Sequence, residues 1–172
     1  MNLENGKLKI RNATLQDSPI LASWWNDGTI MAHAGFPDGI GISQKSVAEM
    51  IMKDDDLNRR LILEFEDVPI GEMSYRTTQE KIAKIGIKIC DANQQDKGFG
   101  TEYLKMLIYH IFIDMGYDKI ILDTNLKNKR AQHVYEKLGF KKTGTRINAW
   151  KNQPGEAQSS VDYELTKEDY LR

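Results

Sequence analysis

The chain has 172 residues, and its 24 lysines and arginines nearly balance its 25 aspartates and glutamates, for a formal charge of −1. This length is enough for a domain that buries most of its apolar surface, and the charge balance gives no overall electrostatic reason to bind nucleic acid or an anionic membrane. The single cysteine, Cys90, excludes an intramolecular disulfide and a cysteine-based zinc cage, and it favours a reduced setting.

The sequence contains no sign of a targeting segment or a linker. Its start lacks the basic and apolar stretches of a secretory signal, and no apolar run approaches the roughly 18 residues of a membrane span. Tracts rich in glycine, serine or proline are missing, as are internal repeats. We therefore predict a cytoplasmic protein with one domain over residues 1–172.

The first third of the chain predicts one strand, two helices and a loop. A strand is expected around Leu8, followed by a helix that begins at the Asp17-Ser18-Pro19 cap and ends at Asn26-Asp27-Gly28. Residues 29–43 contain three glycines and a proline, which predicts a loop. Ser43 is expected to cap the second helix.

The middle of the chain changes to the alternation that is typical of strands. Leu61, Leu63 and Phe65 alternate with other residues, and a turn near Pro69 predicts a hairpin with a second strand. The cleanest alternation is at residues 85–89, where three isoleucines are separated by Gly86 and Lys88.

The rest of the chain alternates helices and strands. An apolar stripe predicts a long helix from Gly98 to Gly116. A short strand at 119–123, a helix at 128–138 and strands at 140–149 and 159–166 follow. The order β-α-α-β-β-β-α-β-α-β-β indicates a mixed α/β (α+β) layer fold.

Seven residues between a predicted strand and the long helix carry the first functional signal: Gln95, Asp96, Lys97, Gly98, Phe99, Gly100 and Thr101. Glycines let the backbone approach a ligand closely, and the free N–H groups of a helix's first turn suit a phosphate. The spacing differs from that of a Walker loop and from the dinucleotide fingerprint, which needs a third glycine. A tight strand-to-helix turn without a ligand explains the two glycines equally well.

The second signal is the segment 128–140, which reads Asn-Lys-Arg-Ala-Gln-His-Val-Tyr-Glu-Lys-Leu-Gly-Phe. By itself Tyr135 is compatible with a core aromatic and Asn128 with a helix cap. Between residues 119 and 142, however, seven basic residues stand against two acidic ones, for a local charge of +5. This excess suits a phosphate-rich ligand as well as a solvated face.

Together these two segments resemble the GNAT superfamily of acyl-CoA-dependent N-acyltransferases. The Gln-x-x-Gly-x-Gly run from Gln95 is similar to that family's pyrophosphate loop, and the Tyr-Glu-Lys-Leu-Gly-Phe run from Tyr135 is similar to its late helix and following strand. The opening Ile10-Arg11-x-Ala13-x-x-x-Asp17 and the closing run 161–166 resemble the bacterial branch that includes acetyltransferases of ribosomal-protein amino termini, polyamines and antibiotics. The resemblance implies a mixed, mostly antiparallel central sheet flanked by helices over nearly the whole chain.

The resemblance also implies acetyl-CoA as the cosubstrate. The backbone at Ile89 and Cys90 is expected to hold the pantetheine arm, and the segment 95–101 to wrap the pyrophosphate. Asn128 is expected to hydrogen-bond near the pantetheine, and the adenosine 3′-phosphate gives Arg130 a partner.

Acetyl transfer requires a deprotonated amine, a donor for the carbonyl oxygen and a proton for the leaving thiolate. The Tyr135 phenol, with an ordinary pKa of about 10, suits the general acid, and the amide of Ile89 or Cys90 suits the carbonyl. Glu72 is the first candidate for the general base and Asp162 the second, although each is equally compatible with an exposed strand residue. No covalent intermediate is required, and Cys90 is expected to act as a small buried hydrophobe.

Acceptor recognition in the family falls to the first helices and the last strand pair. Trp25, Trp150 and Asp162 offer aromatic faces and a carboxylate, a composition that suits a cationic amine, and His33 lies in a loop that would line an acceptor pocket. All four residues are also compatible with ordinary surface or core positions. The three histidines have no paired ligand spacing, so no metal site is predicted.

The leading hypothesis is an N-acetyltransferase acting on a small-molecule amine or a peptide amino terminus, without a nucleic-acid or membrane partner. We expect a homodimer, because the late strands of such folds often meet a partner. One alternative is a catalytically silent acyl-CoA-binding regulatory module. Another is a nucleotide-binding regulator that uses the loop from Gln95.

Overall fold

The computed structural model describes all residues, 1–172, and its centre is one eight-stranded sheet with the strand order β1-β2-β3-β4-β5-β6-β8-β7. Only β5 and β6 pair in parallel, and all other neighbours are antiparallel. The mixed, mostly antiparallel sheet is therefore confirmed. The strands are β1 (Asn2–Asn5), β2 (Leu8–Asn12), β3 (Asn58–Phe65), β4 (Val68–Gln79), β5 (Ile82–Ile89), β6 (Lys119–Asn125), β7 (Lys141–Lys151) and β8 (Ala157–Thr166).

Six helices accompany the sheet: α1 (Ser18–Trp25), α2 (Gly28–Met31), α3 (Gln44–Met52), α4 (Phe99–Tyr109), α5 (Lys129–Lys137) and α6 (Lys167–Leu171). A π-helical turn, His110–Asp114, extends α4. None of these helices combines the length and the apolarity that crossing a bilayer requires.

The expectation of a loop over residues 29–43 was wrong at its start. Asp27 accepts hydrogen bonds from the amides of Thr29 and Ile30 at 2.8 and 3.4 Å, and so it caps α2. The same three residues that stop α1 therefore begin another short helix. Neither β1 nor α6 was predicted from the sequence.

The alternation of side chains along the strands builds two cores. Leu61 and Leu63 of β3 join the larger core, which includes buried residues of α4 and α5. Ile62 points to the opposite face and joins a smaller core with α1 and α3. The sheet is thus covered on both faces, but α1 and α3 leave part of their face open.

The middle of the sheet splits into a cleft. The strands β5 and β6 are paired only through residues 82–84 and 119–121. Residues 85–89 of β5 and 122–125 of β6 have no pairing with each other, although each strand keeps its outer neighbour. The chain enters α4 and α5 shortly after these unpaired ends, so both helices begin near the cleft.

An ion cluster ties β2 and β3 to the start of α1. The Arg11 guanidinium donates to Asp17 at 2.8 and 2.9 Å and to Glu64 at 2.6 Å. These two carboxylate side chains are only 8% and 9% exposed. Burial alone raises the pKa of Asp17, but the hydrogen bonds from Arg11 and from the Thr14 amide outweigh it and hold this pKa below its ordinary value.

Arg11→Met is expected to lower the free energy of unfolding by about 3 kcal/mol at pH 7, because it leaves two buried carboxylates without a counter-ion. The folded-state pKa of Asp17 is depressed, so its contribution to stability exists above the unfolded pKa and is lost as the pH falls through the folded one. The difference between variant and wild type should therefore shrink in urea titrations near pH 4. Lys7→Met removes an exposed partner of Glu66 and serves as the matched control, with little expected change.

Candidate active site

The edge of β5 supplies backbone groups to the cleft. The Cys90 amide donates to the Ile70 carbonyl at 2.8 Å, so the alternation of an antiparallel pair turns the N–H and C=O of Ile89 towards β6. The Gln95 side-chain amide donates to the Ile89 carbonyl at 3.0 Å. Of the two amides that the sequence analysis assigned to the substrate carbonyl, the Cys90 amide is thus occupied, and the Ile89 amide faces the cleft.

The loop after β5 leaves the first amides of α4 uncapped. Gly98 precedes the helix with φ +79° and provides no side-chain cap, whereas Asp27, Ser43, Asn128 and Thr166 each cap a helix with a side-chain oxygen. A Cβ built on Gly98 or Gly100 would meet no atom within 4 Å, so open space lies beside both. Free amides, the helix dipole and open space together make an anion site.

Other side chains of this loop serve structure. The Phe99 ring packs against Phe65 with their centroids 4.7 Å apart, which anchors the first turn of α4 to β3. Lys97 donates to Gln94 at 3.2 Å. The exposed Asp96 pairs with Arg130 at 2.8 Å, and this ion pair connects the loop to the start of α5.

The start of α5 places two more predicted residues. The Asn128 side chain accepts a hydrogen bond from the Ala131 amide at 3.2 Å, so its oxygen is used as a helix cap and its amide group remains free for a ligand. Arg130 lies in the first turn of α5, and its guanidinium can bind a phosphate only if Asp96 releases it.

Tyr135 is a residue of α5 and points into the larger core. Its side chain is buried and makes edge contacts with Phe140 and Tyr163, with ring centroids 6.0 and 5.8 Å away. Its hydroxyl makes no hydrogen bond within the chain, whereas the Tyr163 hydroxyl donates to Glu136 at 2.9 Å. Burial, with smaller effects from Asp123 and Tyr163, raises the pKa of Tyr135 to about 12.

A cavity of about 520 Å³ opens over β3, β4 and β5 on the face that α1 and α3 leave uncovered. Glu72 and Trp25 meet in its wall, where the indole N–H lies 2.9 and 3.0 Å from the two carboxylate oxygens. Burial raises the pKa of Glu72, and the hydrogen bond from Trp25 and the charge of Lys88 oppose this rise.

The structure does not gather the remaining predicted acceptor residues at this cavity. His33 is exposed in a turn after α2. The Trp150 indole donates to the Ser160 hydroxyl at 3.0 Å and lies against Gly35, so it fastens β7 to the loop after α2. Asp162 is held by Arg146 through two contacts of 2.9 Å. These three residues therefore do not line the 520 Å³ cavity, and their part in acceptor binding stays a prediction.

The sequence analysis missed most of the polar residues of the cavity wall: Asp54, Asn58, Arg59, Arg60, Ser74, Arg76, Lys84, Lys88 and Asp123. Several of them could have been found from the polar residues that alternate with apolar ones along β4 and β5. On β4 the residues Glu72, Ser74 and Arg76 share one face, and on β5 Lys84 and Lys88 share it.

The structure offers neither a cluster of metal ligands nor a reactive thiol. No group of three or more His, Cys, Asp or Glu side chains is arranged to hold a metal ion. Cys90 is buried, and burial followed by the charge of Glu72 raises the pKa of its thiol well above the ordinary range. The thiol therefore stays protonated and is a poor nucleophile.

A family model described as an acetyltransferase (GNAT) domain matches residues 7–141. The chain therefore belongs to this family of acetyltransferases, whose acyl donor is acetyl-CoA. The free amides of α4 and the open edge of β5 fit the pyrophosphate and the pantetheine of that donor, respectively.

Individual relatives agree with this family. A kanamycin resistance protein of Rhizobium radiobacter is 35% identical over 75 residues, which are 44% of this chain and 69% of that protein. An aminoglycoside N(6')-acetyltransferase type 1 of Klebsiella pneumoniae is 39% identical over 57 residues, 33% of this chain and 28% of that one. The crystal structure of a spermidine N-acetyltransferase from Vibrio cholerae in complex with CoA and spermine shares the fold, with a TM-score of 0.87, 22% identity and coverage of 98% and 100% of the two chains.

Proposed function

We propose that the chain, as one domain over residues 1–172, transfers the acetyl group of acetyl-CoA directly to the amine of a small molecule or a peptide amino terminus. The observation that carries this proposal is the cleft between β5 and β6 with the cavity next to it, which holds the Glu72 carboxylate. Asp123 of β6 lines this cavity and is close enough to the Tyr135 phenol to raise its pKa. An acid and a base are thus available near one opening in the sheet.

The first step is binding of the acyl donor by the chain's own backbone. The amides of Phe99, Gly100 and Thr101 at the start of α4 hold the pyrophosphate, and Gly98 leaves room for it. Arg130 exchanges Asp96 for a phosphate of the donor. The Ile89 amide donates to the thioester carbonyl and stabilises the negative charge that develops on its oxygen. The donor supplies an acetyl group that is activated as a thioester.

Proton transfer then needs one group on each side. Glu72 takes the proton of the acceptor ammonium, directly or through a water molecule, and Trp25 orients the carboxylate by holding both of its oxygens. Tyr135 gives its proton to the thiolate that leaves. A pKa of about 12 keeps the Tyr135 phenol protonated at neutral pH. The leaving thiolate has a pKa of about 8.5, so it ends protonated once Tyr135 regains its proton from solvent.

Glu72→Gln is expected to lower kcat/KM about 100-fold at pH 7 and to remove the acid limb of the pH–rate profile. The folded-state pKa of Glu72 is raised, so its ionised form costs stability once the pH rises above the unfolded pKa. The variant should therefore melt at a higher temperature than wild type at pH 7. A loss of activity with a gain of stability is the result that a merely structural glutamate would not give.

The matched control is Glu66→Gln, which changes an exposed carboxylate in the β3–β4 turn. Trp25→Phe adds a second measurement, because loss of the indole donor removes a hydrogen bond that lowers the pKa of Glu72. The acid limb should then move to higher pH. If the acid limb stays in place in both Glu72→Gln and Trp25→Phe, Glu72 is not the general base.

The activity is tested by CoA release from acetyl-CoA in the presence of polyamines, aminoglycosides, amino acids and peptides with different first residues. Release with at least one amine supports the enzyme. Tight binding of acetyl-CoA without release from any amine favours the silent acyl-CoA-binding module instead.

We further propose a cytoplasmic homodimer. The buried, unpaired thiol of Cys90 supports a reducing location such as the cytoplasm. The dimer is supported by β7, which is an edge strand of the sheet and has Ile147 65% exposed. Trp150 of the same strand donates to Ser160 and lies against Gly35. Light scattering of the purified protein tests the dimer.

A further inference from the structure

The wall of the 520 Å³ cavity carries more positive than negative charge. Its cations are Arg59, Arg60, Arg76, Lys84 and Lys88, and its acids are Asp54, Glu72 and Asp123. The strand register explains why these residues meet. Arg76 is opposite Lys84, and Glu72 is opposite Lys88, across the β4–β5 pair, with Ser74 and Gly86 between them. Gly86 has no side chain, so the floor between the two ends stays open.

Two of the acids are already used by cations of the same wall. Asp54 pairs with Arg60, which also donates to the Met50 carbonyl. Asp123 pairs with Lys84 at 2.8 Å and with Arg146 at 3.3 Å. Arg59 of the wall pairs at 2.9 Å with Asp56, which is fully exposed and does not line the cavity. Glu72 is the only acid of the wall without an ion pair, and its carboxylate accepts the Trp25 indole.

Two cations of the wall make no ion pair, although one of them, Lys88, lies opposite Glu72 across the β4–β5 pair. The exposed Arg76 side chain makes no hydrogen bond and no ion pair within the chain, and the only polar contact of the Lys88 ammonium is the Met31 sulfur at 3.0 Å. Lys88 is half-buried. The half-enclosed Lys88 ammonium attracts an anion more strongly than a lysine in open solvent does, and the exposed Arg76 guanidinium is free to bind the same anion without breaking an ion pair.

These charges also act on the acceptor amine. Nearby cations disfavour the ammonium form and lower its pKa, which increases the fraction of the neutral nucleophile. They repel an acceptor that carries several further ammonium groups. A polyamine, such as the spermine in the Vibrio cholerae neighbour, would therefore bind against the charge of this wall.

We propose that the acceptor carries an oxyanion, a carboxylate or a phosphate, on the same molecule as its amine, and that Arg76 and Lys88 bind this oxyanion. The inference rests on the proposed acetyl transfer and deepens it, since it assigns the substrate class to anionic amines and not to polycations.

The test is a series of acceptors that share one aminopentyl chain and differ only in the far group: 6-aminohexanoate, 5-aminopentyl phosphate, hexylamine and cadaverine. With the wild type, kcat/KM for at least one of the two anionic members should exceed that for hexylamine about tenfold, with cadaverine lowest. The better of the two anions distinguishes a carboxylate from a phosphate site. Cadaverine as the best member overturns the proposal.

Variants locate the site. Arg76→Gln and Lys88→Gln should each bring the ratio between the anionic member and hexylamine towards one, and Arg76→Lys should retain much of it. Lys151→Gln, an exposed position on β7, is the matched control and should keep the wild-type ratio. An unchanged ratio in both glutamine variants overturns the assignment to these two cations.

Binding measurements separate this inference from the acetyl transfer on which it rests. Calorimetry with the CoA-saturated protein gives the affinities for the same four amines without turnover. Tighter binding of an anionic member supports the inference, even if the activity assay shows no CoA release. Absence of CoA release in that assay contradicts only the proposed acetyl transfer. Tighter binding of cadaverine contradicts the inference and leaves the acetyltransferase intact.

Discussion

Tyr135→Phe is expected to lower kcat about 100-fold or more and to change the affinity for acetyl-CoA less than about twofold. Phenylalanine keeps the edge contacts with Phe140 and Tyr163, so the packing under α5 should survive. Only the hydroxyl is lost, and in the wild type this hydroxyl has no partner within the chain. Steady-state kinetics and calorimetry on the same preparation check both halves of the expectation.

Tyr163→Phe is the matched control for Tyr135→Phe. Its hydroxyl donates to Glu136, and its pKa is also raised to about 12, by burial first and by the hydrogen bond to Glu136 second. Its loss should reduce stability by about 1 kcal/mol and leave turnover near the wild-type value. Since the pKa of Tyr135 is about 12, the wild-type rate should also show no alkaline fall that depends on Tyr135 below about pH 10. Equal turnover in Tyr135→Phe and wild type removes Tyr135 from the mechanism.

The elements that were predicted well from the sequence are those that are stabilised by burial of their own apolar residues. The alternation in β3 and β5 and the apolar stripes of α4 and α5 are visible without knowing any neighbour. The strand β1 is different, because Leu3 is its only apolar residue and it exists through pairing with β2 at the sheet edge. The helix α2 depends on one capping side chain, that of Asp27.

The site divides in the same way. Its cofactor half is local: the loop from Gln95 and the segment from Asn128 each carry a contiguous motif, and both begin at a helix N-terminus. Its acceptor half is not local, because Trp25 and Glu72 are 47 positions apart in sequence. The cationic wall likewise depends on the register of strands, which no spacing along one strand reveals.

Two predicted acceptor residues lie outside the lining of the cavity for a common reason. Trp150 and Asp162 have the composition of an amine site, but composition does not tell which partners a side chain already has. The Trp150 indole uses its only donor on Ser160, and Asp162 uses both oxygens on Arg146. Side chains satisfied in this way stabilise the β7–β8 pair, and the cavity is left to other residues.

Gly98→Asp is expected to weaken acetyl-CoA binding about 100-fold or more, for two physical reasons. The carboxylate of an aspartate at this position would lie beside the first amides of α4 and would compete for the amides that we propose bind the pyrophosphate. The same carboxylate repels the phosphates that remain. Calorimetric titration with acetyl-CoA measures the loss, and thermal melting of the unliganded protein shows whether the fold survives.

Two controls separate charge from backbone strain in this experiment. Gly98 has φ +79°, so Gly98→Ala carries the strain of a side chain in the left-handed region without the charge, and it should weaken binding far less than Gly98→Asp. Gly155→Asp places the same residue at a second position with positive φ, in the turn before β8, where no effect on acetyl-CoA is expected. The difference between the aspartate and alanine variants at position 98 then measures the electrostatic part of pyrophosphate binding, and it should shrink as the salt concentration rises. If the two variants bind acetyl-CoA equally well, the pyrophosphate does not lie at the start of α4.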